Sequence, residues 1–205
     1  MLSVYADSKG RTMPAQRGSH IKWNGNYSFG NECLIAFPEH GALVAATIAG
    51  WAATEAHLGR VFGSLIGAKQ PVTMSMYAAV RSFEVQRDII VAACKELLPI
   101  RYAQMAAACM NVIQKASQTR HRFAHCVWGA SADPQLIALL LVDPKIFWRL
   151  HVDQKRYHNN KRGSGSIERV GPVQFVANMK YLDLDDVWVY TLKDLQEART
   201  SVDRA

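Results

Sequence analysis

A short segment rich in cations, 117-SQTRHRFAHCVWG-129, holds the residues of this sequence best suited to acid–base chemistry. His121 and His125 are four residues apart, so in a helix they lie on the same face. Histidine accepts and donates protons near neutral pH, and arginine binds phosphate through a planar fork of N–H donors. RNA carries its own nucleophile, the 2′-hydroxyl, so its cleavage needs a base, an acid and a donor that stabilises the phosphate. Arg120, His121 and His125 together fit metal-independent phosphodiester cleavage.

Two other interpretations of this segment stay open. Cations near the C-terminal end of a helix are stabilised by the helix dipole, by about 0.3–1 kcal/mol each, and Gly129 would then end the helix. Two histidines one turn apart can also chelate a metal ion, with Cys126 adjacent. However, the segment lacks the glutamate of the HExxH zinc pattern, and the neighbouring arginines repel a cation. We therefore predict no metal site and no cofactor.

The hexapeptide 120-RHRFAH-125 resembles the signature of the HEPN superfamily. In that signature an arginine, a polar residue, three further residues and a histidine stand near the end of a long helix. Arg120 matches the motif arginine, His121 the polar position and His125 the motif histidine. The continuation, AHCVWG, is similar to the endings of many bacterial members. The resemblance covers about residues 39–129 and does not extend to the segments on either side.

The resemblance implies a helical bundle and, in many members, a metal-independent endoribonuclease. It implies that Arg120 positions phosphate, that His125 transfers protons and that His121 assists. Attack by the 2′-hydroxyl would leave a 2′,3′-cyclic phosphate. The resemblance also implies a homodimer in which the motif helices of two copies meet, and a toxin or defence role with an antitoxin protein as partner. Other members lack catalysis, so a non-catalytic module that binds RNA or a partner protein is the alternative.

The overall charge favours an anionic partner. The chain has 205 residues, a net charge of +7 and a pI near 9.4, a balance found in proteins that bind RNA, DNA or lipid head groups. We predict RNA contacts at Arg122 and at four cations of the Gly/Ser-rich basic segment 153–166, namely Lys155, Arg156, Lys161 and Arg162. A solvated hairpin tip is the other interpretation of that segment, and the more common one for such a composition.

Three long helices are predicted to position the motif. Pro38 begins the first, whose apolar residues recur at steps of three and four until Gly67. The second runs from about Thr73 to Leu98, and Pro99 separates it from the third. The third is predicted to carry one apolar face, formed by Tyr102, Met105, Cys109, Val112, Ile113, Ala116 and Phe123. Because short connections make neighbouring helices antiparallel, residues 38–129 are predicted to form an up-down bundle.

The segments on either side of the bundle have other patterns. Residues 1–37 are predicted to be a partly disordered N-terminal extension, in which 21-IKWNGNYSF-29 indicates a hairpin. Residues 130–205 are predicted to form strands and a short helix packed on the bundle. Strands are expected over 136–142 and 146–152, and 187–199 is typical of a strand followed by a helix with Thr191 as its N-cap. The predicted fold class is therefore mainly α, with a small C-terminal β region.

Cysteine usage and hydropathy indicate the compartment. The sequence has four cysteines and no CxxC pair, which is typical of a reducing environment. The first twenty residues lack an apolar core of signal-peptide length, and the most apolar run, 41-GALVAATIAGWAA-53, is too short to span a bilayer. We therefore expect a cytoplasmic protein with no membrane partner.

Overall fold

A computed structural model of the chain describes residues 16–20, 27–30, 32–131, 137–149, 175–177 and 183–204. Its helices are α1 (Glu32–Ala36), α2 (Pro38–Ile66), α3 (Gln70–Ala79), α4 (Phe83–Leu97), α5 (Ile100–His125), α6 (residues 144–149) and α7 (Leu192–Asp203). Its strands are β1 (Gln16–Arg17), β2 (Tyr27–Phe29), β3 (Val127–Ser131), β4 (Leu139–Val142), β5 (Phe175–Ala177) and β6 (Val187–Tyr190). The predicted fold class, mainly α with a small β region, is confirmed.

The first long helix has the predicted bounds. α2 begins at Pro38 and ends at Ile66. Gly67 follows with a φ of +65°, the left-handed conformation that commonly terminates a helix and that glycine adopts without a steric cost. α2 therefore ends where the sequence places its stop signal.

The second predicted helix, from about Thr73 to Leu98, is wrong as a single element. The chain is extended at Val80 and again at Ser82, so α3 and α4 are separate helices. The buried side chain of Gln86 stabilises the break, because its Nε2 donates hydrogen bonds to the carbonyl oxygens of Tyr77 at 3.1 Å and Val80 at 2.7 Å. The second bond satisfies the Val80 carbonyl at the end of α3, and the first adds to the bond that the Tyr77 carbonyl accepts from the Val80 N–H at 3.2 Å.

The chain divides into two compact units, Met1–Val44 with Arg122–Glu197, and Ala45–His121 with Ala198–Ala205. In the second unit, five helices contribute to one apolar core. Its largest buried residues include Trp51, Leu58, Phe62, Tyr77, Ile90, Met110 and Ile113. The ring of Trp51 meets that of Phe83 edge to face, with centroids 4.9 Å apart.

The first unit contains an antiparallel sheet in the order β1-β6-β4-β3-β2-β5. The predicted strand over 136–142 is present as β4, whose four residues are all fully buried. β1 and β2 bring residues of the N-terminal extension into this sheet. Of the predicted hairpin over 21–29, residues 21–26 lie outside the described residues, and residues 27–29 form β2, which pairs with β3 and β5.

The two faces of this sheet are covered by different helices. Leu140 and Val142 share one face with Phe29, and Ile146 and Phe147 of α6 pack against it. Directly paired residues of neighbouring strands lie on the same face, so Leu141, Trp128 and Trp188 belong to the other. The last turn of α5 packs on that second face.

The strand predicted over 146–152 is wrong for the residues that are described, because 144–149 are helical. Asp143 begins this helix in the manner of an N-cap. Its carboxylate accepts a hydrogen bond from the backbone N–H of Lys145 at 2.8 Å, and Pro144 occupies a position that tolerates proline. Helix-starting residues thus outweighed the β propensity of the short apolar run.

The last helix begins as predicted. The Thr191 backbone N–H donates to the Asp194 carboxylate at 2.8 Å, and the Asp194 N–H donates back to the Thr191 hydroxyl at 3.3 Å. These reciprocal bonds cap the start of α7. Among the described residues, no helix combines the length and the apolar character needed to cross a membrane.

Candidate active site

The motif lies in the last two turns of α5, and aromatic packing fixes that end of the helix. Phe123 is 2% exposed, and its ring meets those of Trp128 at 5.4 Å and Tyr190 at 5.1 Å, both edge to face. The indole N–H of Trp128 donates a hydrogen bond to the Phe123 carbonyl at 3.0 Å. These contacts hold the helix end on the sheet.

The helix ends earlier than a stop at Gly129 would require. α5 terminates at His125, and the Cys126 N–H still donates to the Arg122 carbonyl at 2.9 Å. Gly129 is a residue of β3, where a Cβ atom would lie 2.5 Å from the Phe29 ring. The glycine therefore makes room for an aromatic ring and has no part in ending the helix.

The two motif histidines are accessible. His121 and His125 are both exposed, and their four-residue spacing on α5 puts their Cβ atoms about 6 Å apart on one face. Two imidazoles at that separation can reach the attacking and leaving oxygens of one phosphodiester group. The structure therefore brings together His125, which is predicted to transfer protons, and His121, which is predicted to assist.

Arg120 occupies a different position around the helix. It precedes His125 by five residues, so the two side chains point about 140° apart. Arg120 is half-buried, and its Nε is a buried donor with no hydrogen-bond partner in the described part of the chain. The Nε is closed to solvent, so a phosphate would have to meet the Nη groups of the guanidinium. A substrate that meets both Arg120 and His125 has to lie across the helix end.

Arg122 makes contacts within the protein. Its guanidinium lies 5.4 Å from the centroid of the Trp188 ring and donates a hydrogen bond to the Tyr190 hydroxyl. Burial raises the pKa of Tyr190 to about 12, and the charge of Arg122 opposes that rise. The phenol therefore stays neutral and accepts the hydrogen bond. The structure places the Arg122 guanidinium against Trp188 and Tyr190 of the sheet.

Cys126 follows the motif and is partly buried. Burial raises the pKa of its thiol, Asp143 raises it further, and Arg122 opposes both. The thiolate, the form that binds metal ions, is therefore disfavoured at neutral pH. No group of three or more histidine, cysteine, aspartate or glutamate side chains in the described ranges is arranged to hold a metal ion.

Two further predictions have different outcomes. Lys155, Arg156, Lys161 and Arg162 lie outside the described residues. The predicted apolar face of α5 is wrong in its first half, because four of its members are exposed, namely Tyr102, Met105, Cys109 and Val112. Ile113 and Ala116, two other members of the predicted face, are buried and line the core of the second unit together with Met110.

No family model, curated protein sequence or solved structure matches this chain. The resemblance to the HEPN superfamily therefore rests on the motif and on its position at the end of a long helix.

Proposed function

We propose that this protein is a metal-independent endoribonuclease whose active site lies at the C-terminal end of α5. One observation carries the proposal, namely that His121 and His125 are both exposed and lie one helical turn apart on the same face. Arg120 and a net charge of +7 support an anionic substrate.

The proposed reaction needs no group beyond these side chains and the RNA. His125 accepts the proton of a 2′-hydroxyl, and the resulting oxygen attacks the adjacent phosphorus. The bond between phosphorus and the 5′-oxygen breaks, and His121, entering the step as imidazolium, donates a proton to that oxygen. Arg120 holds the non-bridging phosphate oxygens through its N–H donors. The products are a 2′,3′-cyclic phosphate and a free 5′-hydroxyl.

The exposed residues of α5 support a homodimer as the working form. Tyr102, Met105, Cys109 and Val112 follow one another at steps of three, four and three, the spacing of a seam between two helices. Tyr102, Met105 and Val112 are 44%, 62% and 51% exposed. Pairing of two α5 helices would bury this stripe. An antitoxin protein that restrains the nuclease is a further proposed partner.

The test is an RNA cleavage assay in EDTA. Wild type should cleave, and His125→Ala and Arg120→Ala should lose at least about a hundredfold in rate, because each removes a group that acts in the transition state. His57→Ala is the matched control, since His57 is an exposed histidine on α2 outside the motif, and it should cleave like wild type. The proposal fails if wild type binds RNA but cleaves none.

The second candidate is a non-catalytic module that binds RNA or a partner protein. The exposed apolar stripe of α5 favours it, because such a surface mediates binding without any chemistry. The same assay separates the two candidates. In a nuclease, His125→Ala abolishes cleavage and keeps RNA affinity, whereas a binding module has no cleavage to lose.

A further inference from the structure

α6 starts at the same end of the sheet at which α5 stops. Val127 of β3 pairs with Val142 of β4. α5 ends two residues before Val127, and α6 begins two residues after Val142. Asp143, which caps α6, is close enough to Cys126 to raise the pKa of its thiol. The motif helix therefore ends, and α6 begins, at the same end of the β3–β4 pair, on opposite faces of the sheet.

α6 is anchored to the sheet by its inner face. Ile146 and Phe147 pack against the buried residues of β2, β4 and β6, and the Phe147 and Phe29 ring centroids are 5.7 Å apart. The backbone N–H groups of Ile146 and Phe147 both donate to the Asp143 carbonyl at 3.0 Å. These contacts fix the direction in which the outer residues of α6 point.

The outer face of α6 presents an aromatic ring beside two cations. Trp148 is 60% exposed, and its ring meets that of Phe147 edge to face at 5.9 Å. Lys145 and Arg149 are exposed too and lie one turn apart on the same face, and Lys145 precedes Trp148 by three residues, the spacing of neighbours on a helix surface. The acidic neighbour, Asp143, uses one carboxylate oxygen on the Lys145 N–H.

We propose that Lys145, Trp148 and Arg149 form a platform for single-stranded RNA. The indole ring stacks on an unpaired base, and the two cations contact the phosphates on either side. Every base has a π-face, so the platform recognises single-stranded character and no particular sequence. The inference rests on the proposed function and adds to it the substrate class: single-stranded RNA, of which one segment is held on α6 and another segment reaches the end of α5.

The experiment measures binding on a chain that cannot cleave. A fluorescent, unstructured RNA 12-mer is titrated with full-length His125→Ala and followed by anisotropy. Adding Trp148→Ala should weaken binding about tenfold, the loss of one stacked base, while Trp148→Phe should recover most of the affinity. Ile137→Ala is the matched control, because Ile137 is 62% exposed in the same unit and carries no aromatic ring.

Two further measurements test whether base stacking causes the loss of affinity. Trp148→Ala should leave the salt dependence of binding unchanged. Arg149→Gln should make the plot of log association constant against log salt concentration less steep by about 0.7, the loss of one phosphate contact. Affinity for a fully paired RNA duplex should not depend on Trp148, since its bases are already stacked.

The inference is overturned if Trp148→Ala binds the 12-mer as tightly as its parent, if Ile137→Ala loses as much affinity, or if the parent binds no RNA. If Trp148→Ala binds as tightly as its parent, the exposed ring does not contact RNA, and a protein partner becomes the alternative ligand. None of them depends on turnover, so a failure here is distinct from a failure of the nuclease proposal, which the cleavage assay alone decides.

Discussion

Arg122 has one role predicted from the sequence and another in the structure. By its position next to His121 it was predicted to bind RNA. In the structure its guanidinium lies 5.4 Å from the Trp188 ring centroid and donates to the Tyr190 hydroxyl. We therefore expect Arg122→Ala to lower the free energy of unfolding and to leave the affinity for RNA nearly unchanged.

The magnitude follows from the two contacts. A cation over a half-buried indole contributes about 0.5–1 kcal/mol, since Trp188 is only partly exposed. A hydrogen bond from a charged donor to the buried Tyr190 contributes about 1.5 kcal/mol. Together they give a loss of about 2 kcal/mol. With a slope of about 2 kcal/mol per molar urea, the unfolding midpoint should fall by about 1 M.

Urea unfolding of Arg122→Ala, Tyr190→Phe and the double variant tests this assignment. The phenylalanine keeps the ring contacts with Phe123 and Trp128 and removes the hydroxyl, so the double-mutant cycle should give a coupling energy of about 1 kcal/mol. Arg122→Lys should lie between wild type and alanine, because lysine keeps the charge without the planar fork. The reasoning would be refuted if Arg122→Ala were as stable as wild type but bound RNA more weakly and with a smaller salt dependence. Arg122 would then be a residue that contacts RNA.

Two other perturbations have defined outcomes. Burial lowers the pKa of His40 below its ordinary value, so the unfolded chain binds the proton more readily and the free energy of unfolding should fall as pH drops below about 6.5. In urea titrations across that range, the free energy of unfolding of His40→Gln should depend less on pH than that of wild type. An equal pH dependence in the two proteins would contradict the assignment. Gly129→Ala should cost about 1–3 kcal/mol, because its Cβ would lie 2.5 Å from the Phe29 ring and 2.7 Å from the Ser28 carbonyl oxygen; an unchanged thermal midpoint would show that β2 can move aside.

Much of the fold could be predicted because its signals are local. Pro38 and Gly67 bound α2, since proline fits the first helical turn and glycine adopts the positive φ that ends a helix. Thr191 and Asp194 are three residues apart, which is all that reciprocal capping requires. The apolar run of β4 was sufficient for a strand buried on both faces.

The features that were missed depend on partners distant in sequence. The break between α3 and α4 depends on the Gln86 amide, which reaches back to carbonyl groups six and nine residues earlier. The exposure of Met105 on α5 depends on which neighbouring helices cover that side, and apolar spacing alone gives no information about this. The contact between Arg122 and Trp188 joins residues 66 positions apart, and only the placement of β6 beneath the end of α5 produces it.

The candidate site shows the same limit at the scale of single residues. Arg120, His121 and Arg122 are adjacent in sequence and resemble one basic cluster, but each step along a helix rotates the side chain by about 100°. The three residues therefore have three environments: Arg120 is half-buried, His121 is exposed, and Arg122 contacts Trp188 and Tyr190. Of the motif residues, only His121 and His125 return to the same face. In the proposed nuclease this pair transfers the protons, so loss of cleavage in His125→Ala with cleavage retained in Arg122→Lys is the expected pattern.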